Sequence, residues 1–136
     1  MNNLKMLLIK SSWSYLLLQS EEASDVFYDQ LFELNPPLKA LFKHDMKAQG
    51  KKLVDMITLI VTNLQSMENI LPEIHALGKR HLQYGTRPEH YDMVGEALLW
   101  TLKNFLSDKW DDQMADAWHE VYTFWAKEMI TGSMQH

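Results

Sequence analysis

The chain has 136 residues, 46% of them hydrophobic and 23% charged, which suits one globular domain with a substantial core. Its formal net charge of −5 argues against non-specific nucleic-acid binding, because the chain has no excess of basic residues to neutralise phosphates. The absence of cysteine excludes disulfides, thiolate catalysis and cysteine-based zinc or iron–sulfur sites, and it fits a reducing compartment. We therefore expect a single cytoplasmic domain over 1–136.

Helical periodicity covers nearly the whole chain. The first helix is predicted over about residues 3–19, with Lys10 interrupting an apolar run too short to span a membrane. Ser24 is expected to cap the second helix, and the Asn35-Pro36-Pro37 segment to end it. The proline pair can also begin a short helix toward Phe42.

Helical patterns continue to the end of the chain. A helix with a wide apolar face is predicted from Ala48 to Gln65. Gly85 is expected to end the next helix, which carries His81. Three later helix starts are predicted from capping and first-turn residues: Asn69 with Pro72, Pro88, and Asp111 or Asp112. Since no segment alternates apolar and polar residues for long, we predict an all-α fold without a sheet.

His81 is the most informative residue. Ile70, Ile74 and Leu77 form an apolar stripe that His81 continues. The spacings between these four residues are four, three and four, which place them on one face of a helix. Taken alone, it would more often be a hydrogen-bonded core histidine than a metal ligand. Tyr28 and Gln49, on two earlier helices, change that preference. One histidine facing a tyrosine and a glutamine across an apolar slot is the arrangement that a haem needs.

Tyr28 and Gln49 are candidate donors to a gas ligand on the far side of the slot. Iron-bound dioxygen carries partial negative charge, so a hydroxyl and an amide stabilise it more than neutral carbon monoxide. Each such bond contributes about 1.5–3 kcal/mol, which slows oxygen release about ten- to a hundredfold. Position alone would make Gln49 an exposed residue at a helix start, and the presence of His81 reverses that interpretation.

Other residues are candidates for the walls and mouth of the slot. Leu53 shares a face with Gln49, and Phe42 is expected to stack on the macrocycle, although an ordinary core phenylalanine gives the same pattern. Tyr91 is expected to contact the imidazole or to be a core aromatic, with the two equally weighted. Three cations are candidates for the haem propionates and are equally well explained as solvated side chains: His44, Lys52 and Arg80.

Over essentially its whole length the chain resembles a globin, in particular the bacterial single-domain haemoglobins and the globin domain of flavohaemoglobins. The resemblance rests on these segments: Phe27-Tyr28-Asp29, Asn35-Pro36, Leu41-Phe42, Gln49 with Leu53, Leu77-Gly78-Lys79-Arg80-His81, His90-Tyr91, Val94-Gly95, Leu98-Leu99, and Ala117-Trp118 with Tyr122. The Phe42/His81 pair is the general mark of the family. The Tyr28/Gln49 pair is similar to that of oxygen-avid bacterial members that convert nitric oxide to nitrate.

The resemblance implies a globin fold, a 3-on-3 helical sandwich around one haem b (iron protoporphyrin IX). It implies His81 as the proximal iron ligand, Tyr28 and Gln49 as distal O2 donors, Leu53 as a distal wall and Phe42 as a haem-stacking residue. We also expect Val94 to contact the haem. The implied small ligands are O2, NO and CO, and we expect a monomer or a weak dimer, with no membrane and no nucleic-acid partner.

Two departures from the flavohaemoglobin pattern bear on activity. Ser133 stands where flavohaemoglobins carry a glutamate that supports the proximal histidine, so we expect a weaker electron push onto the iron. The chain ends at His136, so we expect any nitric oxide dioxygenase turnover to draw electrons from a separate reductase.

The leading hypothesis is reversible, high-affinity oxygen binding, with possible conversion of nitric oxide to nitrate. The alternatives are a gas sensor that signals to a partner, with the surface near Trp100, Trp110 and Trp125 as the candidate contact, and a haem-free regulatory domain. The fold cannot choose between storage, oxygen transport, detoxification and sensing.

Overall fold

The computed structural model describes residues 1–42 and 45–135. These residues contain six α-helices and three short 3-10 helices. The α-helices are α1 (Asn3–Leu17), α2 (Ser20–Leu34), α3 (Met46–Thr62), α4 (Leu71–Gln83), α5 (Pro88–Leu106) and α6 (Asp112–Ser133). The 3-10 helices lie at Pro36–Leu41, Met67–Asn69 and Ser107–Lys109. These described residues contain no strand, which confirms the all-α prediction.

Most helix ends follow the predicted signals. Pro88 lies in the first turn of α5, and the Asp111 carboxylate accepts a hydrogen bond from the backbone N–H of Met114 at 2.9 Å, capping α6. Gly85, with a φ of +97°, follows the end of α4 as expected, since a left-handed turn there favours glycine.

Two predicted caps were wrong. Asn69 lies in a 3-10 turn, and the residue that caps α4 is Ile70. Ser24 lies inside α2, which begins at Ser20, and its hydroxyl donates to the Glu21 carbonyl at 3.0 Å. Ser24 is buried at a close approach of α2 to α3, where a Cβ on Gly50 would meet the Ser24 side chain. Its small size serves helix packing rather than capping.

The core lies between α1, α2, α5 and α6, with α3 and α4 packed on its sides. The largest fully buried side chains are found one on each α-helix except α3: Ile9, Leu31, Ile74, Leu102 and Met129. The extensive contacts of α3 are with α1 and α2, whereas α4 lies along α6. Among the described residues, α3 and α4 make no extensive contact with each other.

The contact of α4 with α6 depends on two glycines. A Cβ on Gly78 would overlap the Met129 carbonyl, and a Cβ on Gly132 would overlap the backbone of His75. The two helices therefore meet backbone to backbone, which fixes α4 and the histidine that it carries.

No helix in the described part of the chain is long and apolar enough to cross a membrane.

Candidate haem site

The crossing of α2 and α3 brings Tyr28 and Gln49 together. Tyr28 lies one turn after Ser24, and Gln49 immediately precedes Gly50; Ser24 and Gly50 mark a close approach of the two helices. The Tyr28 side chain is 7% exposed, and the Gln49 side chain lies close enough to its hydroxyl to influence its pKa. Two candidates 21 residues apart in the sequence thus form one polar pair.

An aromatic cluster surrounds Tyr28. Its ring centroid lies 4.8 Å from that of Phe27, 6.0 Å from Phe32 and 5.4 Å from Phe42. Burial raises the pKa of Tyr28 to about 12, although the hydrogen bond with Gln49 opposes this shift. The phenol therefore keeps its proton at neutral pH and remains a hydrogen-bond donor.

His81 lies in the last turn of α4, partly buried. Its Nδ1 is 2.9 Å from the Leu77 carbonyl oxygen, a contact that requires Nδ1 to be the protonated nitrogen. Burial lowers the pKa of His81; the bond to Leu77 opposes this shift and the Arg80 charge adds to it. A neutral imidazole protonated at Nδ1 has its lone pair on Nε2, the nitrogen available to a metal.

Four residues predicted to contact the haem are partly buried and pack against the core: Phe42, Leu53, Tyr91 and Val94. Lys52 and Arg80 are exposed, which is compatible with either interpretation of these cations. The third propionate candidate, His44, lies outside the described residues.

Tyr122 also lies in this region, and the sequence predicted neither its hydrogen bond nor its packing partner. Its hydroxyl donates to the Tyr91 carbonyl oxygen, and its ring fits against Gly95, where a Cβ would overlap it. The only sequence signal was its place four residues after Trp118 on the buried side of α6, which reveals no hydrogen bond. Tyr122 therefore anchors the start of α5, where Tyr91 lies, to α6.

Trp125 is 9% exposed and packs edge-to-face on Tyr122, with ring centroids 5.6 Å apart. It therefore contributes little to an exposed surface, unlike Trp100, which is 39% exposed. Its indole N–H is buried without a hydrogen-bond partner among the described residues. Such an unpaired donor is uncommon in a core made only of protein.

The Ser133 side chain is hydrogen-bonded within its own helix. Its hydroxyl donates to the Ile130 carbonyl at 2.6 Å, and a serine offers no carboxylate to an imidazole. The expected weaker electron push onto a bound iron therefore stays a prediction.

A haem suits these residues. No group of three histidine or acidic side chains within the described ranges is placed to hold a metal ion. A porphyrin supplies four nitrogens itself and needs one from the protein, which His81 Nε2 can provide. Trp125, whose N–H is unpaired among the described residues, lines a small apolar pocket between α3, α5 and α6, which fits a group that completes this part of the core.

These features define an all-α protein that carries a partly buried histidine whose Nε2 is available to a haem. A family model described as Globin matches residues 25–129, and the chain belongs to the globin family. Membership of this family implies that the chain binds haem, and its similarity to flavohemoproteins is consistent with haem binding.

The chain is 32% identical over 123 residues to an uncharacterized globin-like protein of Aquifex aeolicus, covering 90% of this chain and 87% of that one. It is 31% identical over 118 residues to a flavohemoprotein of Oceanobacillus iheyensis, covering 85% of this chain but spanning only 29% of the flavohemoprotein. The bacterial globin structure from Campylobacter jejuni superposes with a TM-score of 0.84 at 26% identity, over 97% of this chain and 96% of that one. The globin fold predicted from sequence is thus confirmed.

Proposed function

We propose that residues 1–136 form one globin domain that holds haem b through His81 and binds dioxygen reversibly and tightly. The observation that carries this proposal is the nearness of Tyr28 and Gln49 at the crossing of α2 and α3, together with the Leu77 carbonyl that holds Nδ1 of His81 and leaves its Nε2 free for a metal. Two polar side chains in an otherwise aromatic and aliphatic setting suit a small ligand that gains negative charge when it binds.

Each side chain has a distinct task in this proposal. The Tyr28 hydroxyl donates to the gas ligand, while Gln49 orients that hydroxyl and adds a second donor. Leu53 excludes water and Phe42 stacks on the macrocycle. His81 keeps its Nδ1 proton on the Leu77 carbonyl, so that Nε2 faces the metal. Lys52, Arg80 and His44 pair with the propionates.

Conversion of nitric oxide to nitrate is a second step of the same proposal. The haem iron supplies the redox chemistry, because combining one nitric oxide with one dioxygen as nitrate takes one electron from ferrous iron. In this proposal an electron-donating reductase returns that electron. The likeness to a flavohemoprotein, over 29% of that protein's length, is what suggests this step.

Visible absorption spectra of the haem-loaded protein in ferric, reduced and oxygenated forms test the proposal. We expect a five-coordinate reduced form that converts to a long-lived oxygenated form. His81→Gly is expected to lose the histidine-ligated spectrum and to regain it when imidazole is added, because the added base replaces the missing side chain. Failure of the wild-type protein to retain haem would refute the proposal, and a six-coordinate reduced spectrum would refute an open distal site.

A further inference from the structure

The first helix, α1, presents a row of apolar and small side chains to solvent. The row recurs at steps of three, four, three and four, and each of its members is exposed: Leu4, Leu7, Ser11, Ser14 and Leu18. We call these five residues the α1 seam. Leu18 follows the last residue of α1 with helical backbone angles, so it continues the same face. Alternating steps of three and four are the spacing by which one helix packs along another.

The seam is the side of α1 that the fold leaves open. The opposite side of the helix packs into the core through Ile9, Trp13 and Leu16, which are at most 3% exposed. The three leucines of the seam are 52%, 63% and 82% exposed, in chain order. A helix that is apolar on opposite sides is expected to be covered on both. The core therefore accounts for only one of the two apolar sides of α1.

The two serines at the centre of the seam can be covered at little cost. The Ser11 hydroxyl donates to the Leu8 carbonyl at 3.2 Å, and the Ser14 hydroxyl donates to the Lys10 carbonyl at 2.8 Å. Both hydroxyls already have an acceptor, so a partner that displaces water leaves neither of them unpaired. Their small size makes a recess between Leu7 and Leu18 in which a second helix can approach closely.

Charge does not select the partner of the seam. None of its five residues is charged, and the half-buried Lys10 flanks it on one side. On the other flank the Lys109 ammonium lies over the Tyr15 ring, 4.5 Å from its centroid. The formal net charge of −5 opposes approach to an anionic lipid surface. A recess between bulky ends also suits a helix better than a flat surface.

We propose that the α1 seam docks the α1 seam of a second copy of this chain, with the two helices antiparallel. In this arrangement Leu7 of each copy meets Leu18 of the other, and Ser11 of each copy meets Ser14 of the other. The seam thus complements itself, with leucine on leucine at the ends and serine on serine at the centre. Antiparallel helices also bring opposite ends of their dipoles together.

The size of the seam makes this a weak, reversible dimer. The 15 residues of α1 form a face about 22 Å long and about 10–12 Å wide. Such a face falls short of the roughly 800 Å² that each partner buries in a standard stable interface. Sedimentation velocity of the haem-loaded protein between about 1 μM and about 1 mM covers the relevant range of affinity. We expect a reversible shift from monomer to dimer that added salt does not weaken, since no charged side chain lies in the seam.

A matched pair of variants locates the interface. Leu7→Glu is expected to weaken dimerisation about 100-fold, because each dimer loses the burial of two leucines and gains two charges in an apolar contact. Leu34→Glu makes the same change at a leucine that is 44% exposed at the end of α2, and it is expected to alter dimerisation less than twofold. Leu18→Gln, a neutral change within the seam, is expected to weaken dimerisation about tenfold.

The absence of cysteine from the chain allows the orientation to be tested by cross-linking. On mild oxidation, a mixture of Leu7→Cys and Leu18→Cys proteins is expected to form disulfide-linked dimers faster than either protein alone. Intact-mass spectrometry distinguishes the mixed dimer from the two uniform ones. Faster linking of each protein with itself would mean that the helices are parallel and would contradict the arrangement.

Several other outcomes would overturn the inference. A wild-type protein that stays monomeric at all concentrations has no such interface, and equal weakening by Leu7→Glu and Leu34→Glu would mean that the dimer forms elsewhere. A monomer that sediments with phosphatidylglycerol vesicles only while Leu7 is intact would assign the seam to a lipid surface. The seam contains no residue that we assign to haem or gas binding. Normal oxygenated spectra without dimerisation would therefore refute this inference and leave the proposed function intact.

Discussion

The Tyr28 hydroxyl is the group on which gas affinity should depend most. Burial raises its pKa to about 12, so it is a protonated donor at every pH at which the protein is used. We expect Tyr28→Phe to speed oxygen release about ten- to a hundredfold, since a hydrogen bond to a charged group is worth about 1.5–3 kcal/mol. Oxygen displacement by carbon monoxide in a stopped-flow instrument measures the rate.

Tyr15→Phe is the matched control for Tyr28→Phe. Tyr15 lies on α1 under the Lys109 ammonium, 4.5 Å from its ring centroid, and belongs to no part of the proposed site. It should leave the release rate unchanged. A release rate that is equally unchanged in Tyr28→Phe would show that the phenol does not touch the gas.

His81 makes stability depend on pH in the haem-free protein. Burial lowers its pKa below the ordinary value of about 6.5, so the unfolded chain binds the proton more readily than the folded chain. The stabilising contribution of the neutral ring is therefore complete above about pH 6.5 and is lost as the pH falls through the folded-state pKa. Between pH 7 and 5, we expect urea unfolding to show a steeper loss of free energy in wild type than in His81→Gln. Parallel losses would mean that His81 is not buried as a neutral group.

At the scale of the helices, the contact between α4 and α6 controls where His81 lies. Alanine at position 78 gains about 1 kcal/mol of helix propensity, but its methyl group would overlap the Met129 carbonyl, and overpacking costs about 1–3 kcal/mol. The overlap is with backbone, which no rotamer change relieves. We therefore expect Gly78→Ala to lower the free energy of unfolding by about 1–2 kcal/mol and to shift the iron–histidine Raman band of the reduced protein.

Gln83→Ala, an exposed change on the same helix, is the control for Gly78→Ala. It should leave both the urea midpoint and the Raman band in place. A Gly78→Ala protein as stable as wild type would show that α4 can lift from α6 at no cost.

At the scale of the whole molecule, α4 is attached mainly on one side. Among the described residues its extensive contacts are with α6, and it makes none with α3. In the haem-free protein we expect the amides of α4 to exchange with solvent faster than those of α6, and haem to slow them selectively. This follows because a ligand that binds only the folded form stabilises it. Hydrogen exchange by mass spectrometry checks this, and equal protection of α4 with and without haem would contradict it.

The sequence by itself determined the elements, because their signals are local. Apolar periodicity indicated the helices, Pro88 and Asp111 marked two starts, and the stripe leading to His81 identified a histidine on an inward face. The resemblance then implied that Tyr28 and Gln49 belong to one site. The cap predictions at Ser24 and Asn69 failed because a small polar residue has the same local pattern whether it caps a helix or packs inside one.

Only the tertiary structure decided how far apart the helices lie. Ser24 against Gly50 brings Tyr28 to Gln49, and Gly78 against Met129 sets α4 on α6. The bond that holds Nδ1 of His81 and the burial of Trp125 likewise depend on neighbours that periodicity does not specify. The physical reason is that periodicity fixes which face of a helix is buried. The distance between two buried faces is set by the volumes of the side chains that meet there.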